Sequence, residues 1–529
     1  MTVVLHTIPY TSYPSPRPSD LQYMMGEGQW WEPLPYTPTL EGLQEAAKSM
    51  AFPPSVREVV WHALHRQYLR LGLDIKKLEP LKEDHTLTVA TAHQPILFGG
   101  PLFVLAKIAA TIHLARHLGQ VLHRSIIPVY VMGSEDHDHE EVFSLQVGGQ
   151  HMRFPVDKPH TPVGRVPTTG MAAFLHHLLT ELGVSTQTPY TAHLLEALHR
   201  FDTYGPAFQY FIARIFEETE LVVVDPDDGA LKRLFIDVFE RELATHASRS
   251  HIERMRQKWM QLGIEIRQIR SPYLPVFYMG AGVRERIERH VDTWKTTLTH
   301  TQFNHAALVD ALHRYPQHFS PGVALRPLYQ QRILPNIAFV AGPSELLYWL
   351  ELGELFAHYG IFYPALLRRN SIFFLKDDLY EIVCQYGLID HFFQPYHQWQ
   401  DFILTHHLGL SHPLPSVREK VEALTQLLND FNKHHDLKMD SYVEAQTTRM
   451  RNRAEETAQK LWKALRKKHK ALFTPLYEAH RTAFPKPNVW QERYTSSIEC
   501  SLHTQEPWWL DLAEVLHPLE RTFYLLRMP

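Results

Sequence analysis

An acidic segment that also carries histidines is the strongest chemical signal in the sequence. Residues 133–141 read Gly-Ser-Glu-Asp-His-Asp-His-Glu-Glu and directly follow an apolar run typical of a buried strand. Neighbouring carboxylates repel one another unless a cation, a substrate amine or a hydrogen-bond network compensates them. Asp136, His137 and Asp138 are therefore candidates for deprotonating an amine, or for holding Mg²⁺ together with substrate phosphates. A solvated loop or helix start is the alternative interpretation.

A glycine pair in front of a helix is a second candidate site. Gly99 and Gly100 precede Pro101, a residue that suits the first turn of a helix. Glycine lets the backbone approach a ligand closely, and the free N–H groups at a helix start attract anions. The pair is a candidate phosphate site, with a plain loop as the alternative.

Three further charged residues stand at positions where they could contact a ligand. Lys107 lies in an otherwise apolar helical stretch, so its ammonium either reaches the surface or serves a site. Arg326 ends a short apolar run and could bind a carboxylate or phosphate with two hydrogen bonds, or form a salt bridge to the core. Glu345 stands at a predicted helix start, where the helix dipole favours a carboxylate, so a capping role is expected.

The elements around these residues follow an alternating strand and helix pattern. A strand, a helix and a second strand within a short span form a βαβ unit, which implies a parallel sheet. Ligands bind such sheets outside the carboxyl ends of the strands, where the charged segments lie. The predicted strands are Leu87–Thr91, Ile126–Met132, Leu221–Val224 and Ile337–Val340, and the predicted helices include Ser55–Leu71, Pro101–Leu118 and Leu346–Tyr359.

The last third of the chain has a different pattern. Between Val417 and Phe431, apolar residues alternate spacings of four and three, and a weaker seam of the same kind runs from Val443 to Ala464. This pattern predicts an antiparallel helical hairpin or coiled coil, with a helix start at the Ser416–Glu419 capping box. A dimerising coiled coil and a helix pair packed within one chain are both open.

Composition excludes several classes of protein. The 529 residues include 53 Lys and Arg against 57 Asp and Glu, a net charge of −4 that gives no support to nucleic-acid or membrane-surface binding. Only Cys384 and Cys500 carry thiols, so neither a disulfide framework nor a Cys-rich zinc site is expected. His137 and His139 are two residues apart and would not share a helix face, so a mononuclear zinc site is not expected in this segment. Without a secretory signal or an apolar run of spanning length, we expect a soluble cytoplasmic protein.

Four segments together resemble the bacillithiol biosynthesis cysteine-adding enzymes, the BshC family. They are residues 91–107, 128–142, 319–352 and 484–493, among which EDHD and AGPSELLYW are the most specific. The resemblance implies an α/β fold with a Rossmann-like parallel-sheet core, inserted connecting segments and a C-terminal coiled coil used in homodimers. The implied organisation is an N-terminal arm and helix at 1–80, a core at 81–395 with insertions at about 150–220 and 265–330, a coiled-coil region at 396–475 and a tail at 476–529 that packs back on the core.

The resemblance also implies the reaction. The family is assigned to the last step of bacillithiol synthesis, in which L-cysteine joins glucosaminyl malate through an amide bond. A carboxylate is a poor acyl donor, so it would first be activated by adenylation or phosphorylation from ATP. The expected cofactors are ATP or ADP, with Mg²⁺ as a further candidate, and no structural zinc is expected. The implied roles are catalysis by His93, Asp136, His137 and Asp138, phosphate binding by Gln94, Gly99, Gly100 and Lys107, and substrate binding by Arg326 and Glu345. The alternatives are a nucleotide-dependent transferase with another amine acceptor and a non-catalytic nucleotide-binding dimeric scaffold.

Overall fold

The fold is described from a computed structural model, for residues 4–184, 188–269, 274–291, 293–502 and 504–529. The chain divides into two compact units. The core unit consists of residues 1–11, 15–374 and 489–529, and the helical unit consists of residues 12–14 and 375–488. Parts of both predicted insertions, residues 185–187, 270–273 and 292, lie outside the described residues.

The strands of the described residues form three sheets and a separate hairpin. They are β1 (Val4–Pro9), β2 (Leu87–His93), β3 (Ile126–Met132), β4 (Ser144–Val147), β5 (Gln150–Arg153), β6 (Val222–Val224), β7 (Val276–Tyr278), β8 (Glu285–His290), β9 (Thr293–Thr296), β10 (Gln302–Phe303), β11 (Phe319–Pro321), β12 (Asn336–Ala341), β13 (Ala365–Arg368), β14 (Ile372–Leu375) and β15 (Thr522–Arg527).

The central sheet has the strand order β13-β12-β2-β3-β6, and every neighbouring pair is parallel. Its strands are buried on both faces, which is why their sequences are continuously apolar instead of alternating. The four predicted strands correspond to β2, β3, β6 and β12, so the α/β prediction is confirmed. Because the strands are parallel, their carboxyl ends share one edge of the sheet.

Helices provide the rest of the regular structure. They are α1 (Ser19–Met25), α2 (Leu40–Ser49), α3 (Pro54–Leu71), α4 (Leu102–Leu122), α5 (His139–Val142), α6 (Met171–Glu181), α7 (Pro189–Arg200), α8 (Tyr204–Ile215), α9 (Gly229–Arg233), α10 (Ile236–Thr245), α11 (Ala247–Gln261), α12 (His305–Arg314), α13 (Arg326–Ile333), α14 (Pro343–Leu350), α15 (Gly353–Tyr359), α16 (Asp377–Gln385), α17 (Tyr396–Phe402), α18 (Pro413–His434), α19 (Asp440–Lys468), α20 (Lys470–Ala483), α21 (Gln491–Tyr494), α22 (Ser497–Ser501) and α23 (Trp508–Val515).

Helix α4 is the central helix of the core unit and packs against β2, β3 and α23. It is apolar on nearly all sides, and by length and composition alone it could cross a membrane, with 72% of its apolar window buried in the fold. The prediction that no apolar segment is long enough to span a membrane was therefore wrong for α4. Burial of a helix on all sides explains the same composition in the core of a protein.

The chain termini are more regular than the sequence predicts. An extended arm was expected at the start of the chain, but β1 pairs antiparallel with β15, which in turn lies beside β14. Helix α1 follows, and the Arg368 Nε donates to Asp20 Oδ2 at 2.6 Å, with both side chains buried. This ion pair fixes the N-terminal segment to the carboxyl end of β13.

Two other predicted elements differ in the structure. The helix predicted over Leu346–Tyr359 is broken into α14 and α15, which end and begin at Leu350 and Gly353. At the break, the buried Glu351 carboxylate accepts the backbone N–H groups of Gln268 and Ile269 at 2.6 and 3.0 Å. The insertion predicted at 265–330 contains a five-stranded antiparallel sheet with the order β10-β9-β8-β7-β11. Its short strands lack the apolar alternation that would reveal them.

The helical unit contains the predicted hairpin. Helices α18 and α19 run antiparallel, since Arg418 pairs with Glu455 and Arg451 pairs with Glu422. Helix α18 begins three residues before the predicted capping box, and the His412 ring accepts the Leu414 N–H at its start. The unit is longer than the predicted region because α16 and α17 pack with α20.

We predict that Asp20→Asn destabilises the core unit by about 3 kcal/mol or more, because it leaves the Arg368 guanidinium buried without its anion. Unfolding of the full chain in denaturant, followed by a core-unit probe, measures the change. Asp310→Asn is the control, since its partner Arg314 is 68% exposed and such pairs contribute little. Equal unfolding midpoints for both variants would contradict the assigned role of the buried pair.

Candidate active site

A cavity of about 750 Å³ opens at the carboxyl edge of the central sheet. Residues after β2, β3, β6 and β12 contribute to its lining, together with α13 and the β7–β8 segment. Its ionisable lining residues include seven cationic and three acidic side chains, so it is suited to anionic ligands. These are Lys107, Arg249, Arg284, Arg286, Arg326, Arg369 and Arg493, with Asp136, Glu141 and Glu345.

The structure brings six of the ten predicted site residues to this cavity. They are His93, Gln94, Lys107, Asp136, Arg326 and Glu345. They come from three segments far apart in the chain, residues 91–107, 128–142 and 319–352, and the fold brings those segments to one edge of the sheet. The other four predicted residues, Gly99, Gly100, His137 and Asp138, are not part of the cavity lining.

A buried ion pair forms one wall of the cavity. The Lys107 side chain is only 2% exposed, so it does not reach the surface, and its ammonium donates to a Glu345 carboxylate oxygen and to the Ala92 carbonyl at 2.6 Å. Burial lowers the pKa of Lys107, although Glu345 favours its charged form. Glu345 also accepts the Gly342 N–H at 3.0 Å, so the expected capping role and the contact with Lys107 coexist.

His93 ends β2 and presents a neutral imidazole to the cavity. Burial of the ring, together with the charges of Lys107 and Arg369, lowers the pKa of His93 to about 3. The ring packs edge-on against Phe103, with 5.1 Å between ring centroids. At physiological pH, the His93 imidazole is therefore neutral and able to donate or accept one hydrogen bond at the cavity without carrying a charge.

Asp136, which follows β3, is held as an anion by its neighbours. Its Oδ2 accepts from Gln94 Nε2 at 2.7 Å and its Oδ1 accepts from the His137 N–H at 2.8 Å. Burial favours the neutral acid, but hydrogen bonding from His137 and the charges of Arg284 and Arg326 outweigh it and hold the pKa of Asp136 well below its usual range. Asp136 is thus a fixed negative charge and a weak base.

Arg284 is a site residue that the sequence analysis did not identify. It is 4% exposed and lies over the Phe277 ring at 3.8 Å. Its Nη1 is 3.0 Å from His137 Nδ1, which must accept because a guanidinium only donates. Burial lowers the pKa of Arg284 to about 10, with Asp136 opposing the shift. Arg284 lies in the inserted segment, where no strand or helix pattern marked it.

Arg369 is the second such residue, directly after β13. Its two terminal nitrogens donate to the Glu492 carboxylate at 2.7 and 2.9 Å, and the pair is almost fully buried. Its guanidinium also lies over the Phe103 ring at 5.3 Å. The apolar run Ala365–Leu367 followed by two arginines was a usable signal, because residues after a strand of this sheet reach the ligand edge.

Arg326 is supported from behind by buried charges. Its Nη1 lies 3.7 Å from Glu135 Oε2, and Lys232 Nζ lies 2.7 Å from Glu135 and 2.6 Å from Asp227. Although burial opposes it, the two carboxylates raise the pKa of Lys232. The ammonium thus stays charged beneath the cavity and balances the buried carboxylates.

The glycine turn does not form a phosphate cradle. The Gly99 N–H donates to Ile96 and the Gly100 N–H donates to Leu97, at 3.2 and 3.0 Å. A side chain on Gly99 would collide with the Tyr190 hydroxyl, and its φ of +91° also favours glycine. Packing and backbone conformation therefore account for these glycines, and their N–H groups are already used.

Two neighbouring groups also form their hydrogen bonds within the chain. One is the start of α4, which follows the glycine turn, and the other is the acidic loop after β3. The Leu102 N–H at the start of α4 donates to the Thr495 carbonyl at 3.0 Å. Asp138 caps α5 by accepting the Glu141 N–H at 3.2 Å. Within the described ranges, no group of three or more His, Cys, Asp or Glu side chains is placed to hold a metal ion.

We predict that His93 makes stability depend on pH. Its folded pKa lies below the ordinary value of about 6.5, so the unfolded chain takes up the proton first as the pH falls. The contribution of His93 is fully present above pH 6.5 and is lost as the pH falls from about 6.5 toward 3, by up to about 1.4 kcal/mol per pH unit. Unfolding of wild type and His93→Gln across this window measures it.

His62→Gln is the control for this experiment, because the His62 side chain is 56% exposed. The wild type and the His62 variant should lose stability in parallel, whereas His93→Gln should lose it less steeply. A His93 variant whose pH dependence matches the wild type would show that this imidazole titrates normally in the folded protein.

Comparison with known proteins relates this site to a family. A sequence profile described as "Bacillithiol biosynthesis BshC, N-terminal Rossmann-like domain" matches residues 28–370, and one described as "Bacillithiol biosynthesis BshC, C-terminal coiled-coil domain" matches residues 389–528. The first includes all ten predicted site residues. The second includes both helices of the antiparallel hairpin.

Individual relatives are similar in sequence to this chain over most of its length. A protein of Flavobacterium johnsoniae named "Putative cysteine ligase BshC" is 29% identical over 506 residues, which cover 92% of this chain and 93% of the relative. Proteins of the same name from Flavobacterium psychrophilum and Christiangramia forsetii are each 28% identical, over 89% and 92% of this chain and 89% and 91% of their own. The chain belongs to the bacillithiol biosynthesis BshC family, with a Rossmann-like domain and a C-terminal coiled-coil domain.

Proposed function

We propose that the protein is a ligase that joins L-cysteine to glucosaminyl malate through an amide bond, the last step of bacillithiol biosynthesis. The observation that carries the proposal is the cavity at the carboxyl edge of the sheet, in which cationic side chains outnumber acidic ones seven to three. Both substrates carry carboxylates, and an excess of fixed positive charge suits them. The names of the relatives support the choice of cysteine.

Asp136 is suited to the amine in this reaction. The nitrogen that attacks an activated carboxyl group gains positive charge as the carbon–nitrogen bond forms. A fixed carboxylate stabilises that charge without taking the proton beforehand, which fits the low pKa of Asp136. His93 accepts or donates a neutral hydrogen bond beside it, and His137 holds Arg284 in place through the hydrogen bond at Nδ1. We therefore assign His137 a positioning role.

Lys107 and the arginines are suited to the opposite charge. Addition of the amine places negative charge on the carboxyl oxygen, and preorganised cations stabilise it without reorganisation. Lys107 is held by the carbonyl of Ala92 and by Glu345, and Arg369 is held by Glu492, so neither moves far when a ligand binds. Arg326 acts electrostatically on Asp136, as does Arg284, and is assigned to a substrate carboxylate.

ATP is the proposed activating cofactor, because amide formation from a free carboxylate needs a leaving group. It would supply that leaving group, and arginines of the cavity would neutralise its phosphates. The cavity lining supports this assignment better than the Gly99–Gly100 turn, whose N–H groups are used within the turn. Mg²⁺ would be held mainly by the phosphates, as this cation commonly is, with Asp136 of the cavity lining as a candidate carboxylate ligand.

We also propose a cytoplasmic homodimer that forms through the C-terminal helices. Leu424, Leu427 and Phe431 lie on α18 at spacings of three and four and are 43%, 63% and 58% exposed. An apolar stripe at this spacing fits a coiled-coil partner. The substrates are small soluble molecules, and the two cysteines are both free thiols, which fits a reducing compartment.

The proposal is tested by mixing the purified protein with L-cysteine, glucosaminyl malate, ATP and Mg²⁺ and detecting bacillithiol by mass spectrometry. We expect product only when all components are present, and also after zinc chelation. Product with another amine acceptor in place of glucosaminyl malate would favour a broader transferase. Absence of product under all conditions, with nucleotide still bound, would favour a scaffold.

We predict that Asp136→Asn and Asp138→Asn have different effects on catalysis, although both aspartates belong to the EDHD segment. Asp136→Asn removes the charge that faces the cavity and should lower kcat/KM by roughly 100-fold or more. Asp138→Asn changes an exposed helix cap and should leave kcat/KM within a few-fold of wild type. Steady-state kinetics of both variants, with melting temperatures to verify folding, decides the point. Equal losses of activity would contradict the assignment of Asp136.

We predict that Leu427→Glu with Phe431→Glu converts the dimer into a monomer, because charged side chains cannot be buried in an apolar seam. Multi-angle light scattering of the full-length chain measures the mass. Leu69→Glu on α3 is the control, since Leu69 is as exposed as these residues at 57% and lies in the core unit. A wild-type monomer, or a dimer that tolerates both α18 substitutions, would refute the proposed interface.

A further inference from the structure

One face of α13 presents two unsatisfied polar groups to the cavity. Arg326 and Gln330 are four residues apart, so their side chains lie on the same face of the helix, and both line the cavity. Arg326 Nη1 and Gln330 Nε2 are buried, and neither has a hydrogen-bond partner within the part of the chain that the structure describes. Gln330 is 3% exposed, so bulk water does not surround its amide.

Two neighbouring polar side chains on the same helix, Tyr329 and Gln331, have hydrogen-bond partners. The Tyr329 hydroxyl donates to the Pro226 carbonyl at 2.7 Å. Gln331 is also buried, but its amide exchanges hydrogen bonds with Asn336. A further buried atom of α13, Arg332 Nε, also has no partner, but Arg332 lies outside the cavity lining and its Nη2 pairs with Asp237 at 2.5 Å. Arg326 and Gln330 are the residues of α13 that combine an unsatisfied nitrogen with a place in the cavity lining, within the described ranges.

The nearest carboxylate does not serve these donors. Glu135 Oε2 lies 3.7 Å from Arg326 Nη1, beyond hydrogen-bond distance, and Lys232 lies 2.7 Å from the other Glu135 oxygen. The Arg326 Nη2 makes only a long contact of 3.4 Å with the Pro321 carbonyl. A ligand with acceptor atoms can therefore occupy the Arg326 and Gln330 donors without displacing an existing strong bond.

Buried donors without partners are rare in folded proteins, because they lose hydrogen bonds to water and gain none. Two donors one helical turn apart fit the two oxygens of a carboxylate, and the surrounding positive charge favours an anion. We propose that Arg326 and Gln330 form a carboxylate-binding subsite in which Gln330 determines specificity. This inference rests on the proposed function, whose substrates carry carboxylates on the malyl group and on cysteine.

The amide of Gln330 gives the subsite its selectivity. Arg326 attracts any anion, whereas a buried amide rejects a ligand that offers it no acceptor. Gln330→Leu removes the donor at similar volume, and Gln330→Glu places an acceptor-only group of nearly the same shape against the bound carboxylate. The two substitutions should weaken binding for different reasons, and Glu should weaken it at least as much.

The test uses full-length protein and two measurements. Calorimetric titration with L-malate and with L-cysteine reports binding without turnover, and steady-state kinetics report KM for glucosaminyl malate, L-cysteine and ATP. For Gln330→Leu we expect a roughly 10- to 100-fold weaker affinity for one of the two carboxylate ligands, with the KM of the matching substrate raised to a similar extent. The KM for ATP should not change. The ligand that is affected identifies which carboxylate the subsite holds.

Gln331→Leu is the matched control, because it removes a neighbouring buried amide that does not line the cavity. It should lower the melting temperature and leave both affinities unchanged. Unchanged affinity of Gln330→Leu for both probes, failure of both probes to bind wild type, or a KM change confined to ATP would overturn the subsite. If probe binding depends on Gln330 while no bacillithiol forms, the subsite stands and the proposed function fails.

Discussion

The structure depends on the burial of one positive charge in an apolar helix. Lys107 is the buried charged residue of α4, and its ammonium is removed from water almost completely, whereas Arg116 of the same helix pairs with Glu220 and Glu514 at the surface. Such a charge needs an anion and further hydrogen bonds, which Glu345 and the Ala92 carbonyl provide. Removal of one partner of a buried pair typically costs about 3–5 kcal/mol. The pair therefore fixes α4, the end of β2 and the start of α14 relative to one another, and these three elements form one wall of the cavity.

Other cations of the cavity also lie next to buried carboxylates. Arg369 reaches it with Glu492 behind, and Arg326 reaches it with Glu135 and Lys232 behind. Hydrogen bonds to Glu492 orient Arg369, whereas Arg326 is balanced by the charge of Glu135 at 3.7 Å without a hydrogen bond from its Nη1. Both cations therefore line the cavity with a buried carboxylate close by. Preorganised charge of this kind stabilises developing charge without rearrangement during the reaction. Glu492 belongs to the C-terminal part of the core unit, which explains why that segment folds with the central sheet.

The central sheet was predictable from the sequence because parallel strands are continuous apolar runs. Six of the ten predicted site residues line the cavity, because the carboxyl ends of the parallel strands share one edge of the sheet. Arg284 was not predictable, because it lies among short antiparallel strands without apolar alternation. The Gly99–Gly100 pair shows why a glycine pattern alone is ambiguous, since positive φ at both positions and the contact of Gly99 with Tyr190 require glycine just as a phosphate loop would. The unsatisfied Nε2 of Gln330 could not be predicted from the sequence, because only the tertiary structure determines whether a buried polar group has a hydrogen-bond partner.

The central claim is that the cavity at the carboxyl edge of the sheet is where cysteine and its acceptor meet. A crystal structure of the protein with L-cysteine and glucosaminyl malate tests it most directly. The account predicts both ligands inside this cavity, with carboxylates at the arginines and an amine within hydrogen-bond distance of Asp136. Ligands bound at another position, with the cavity filled only by water, would contradict it.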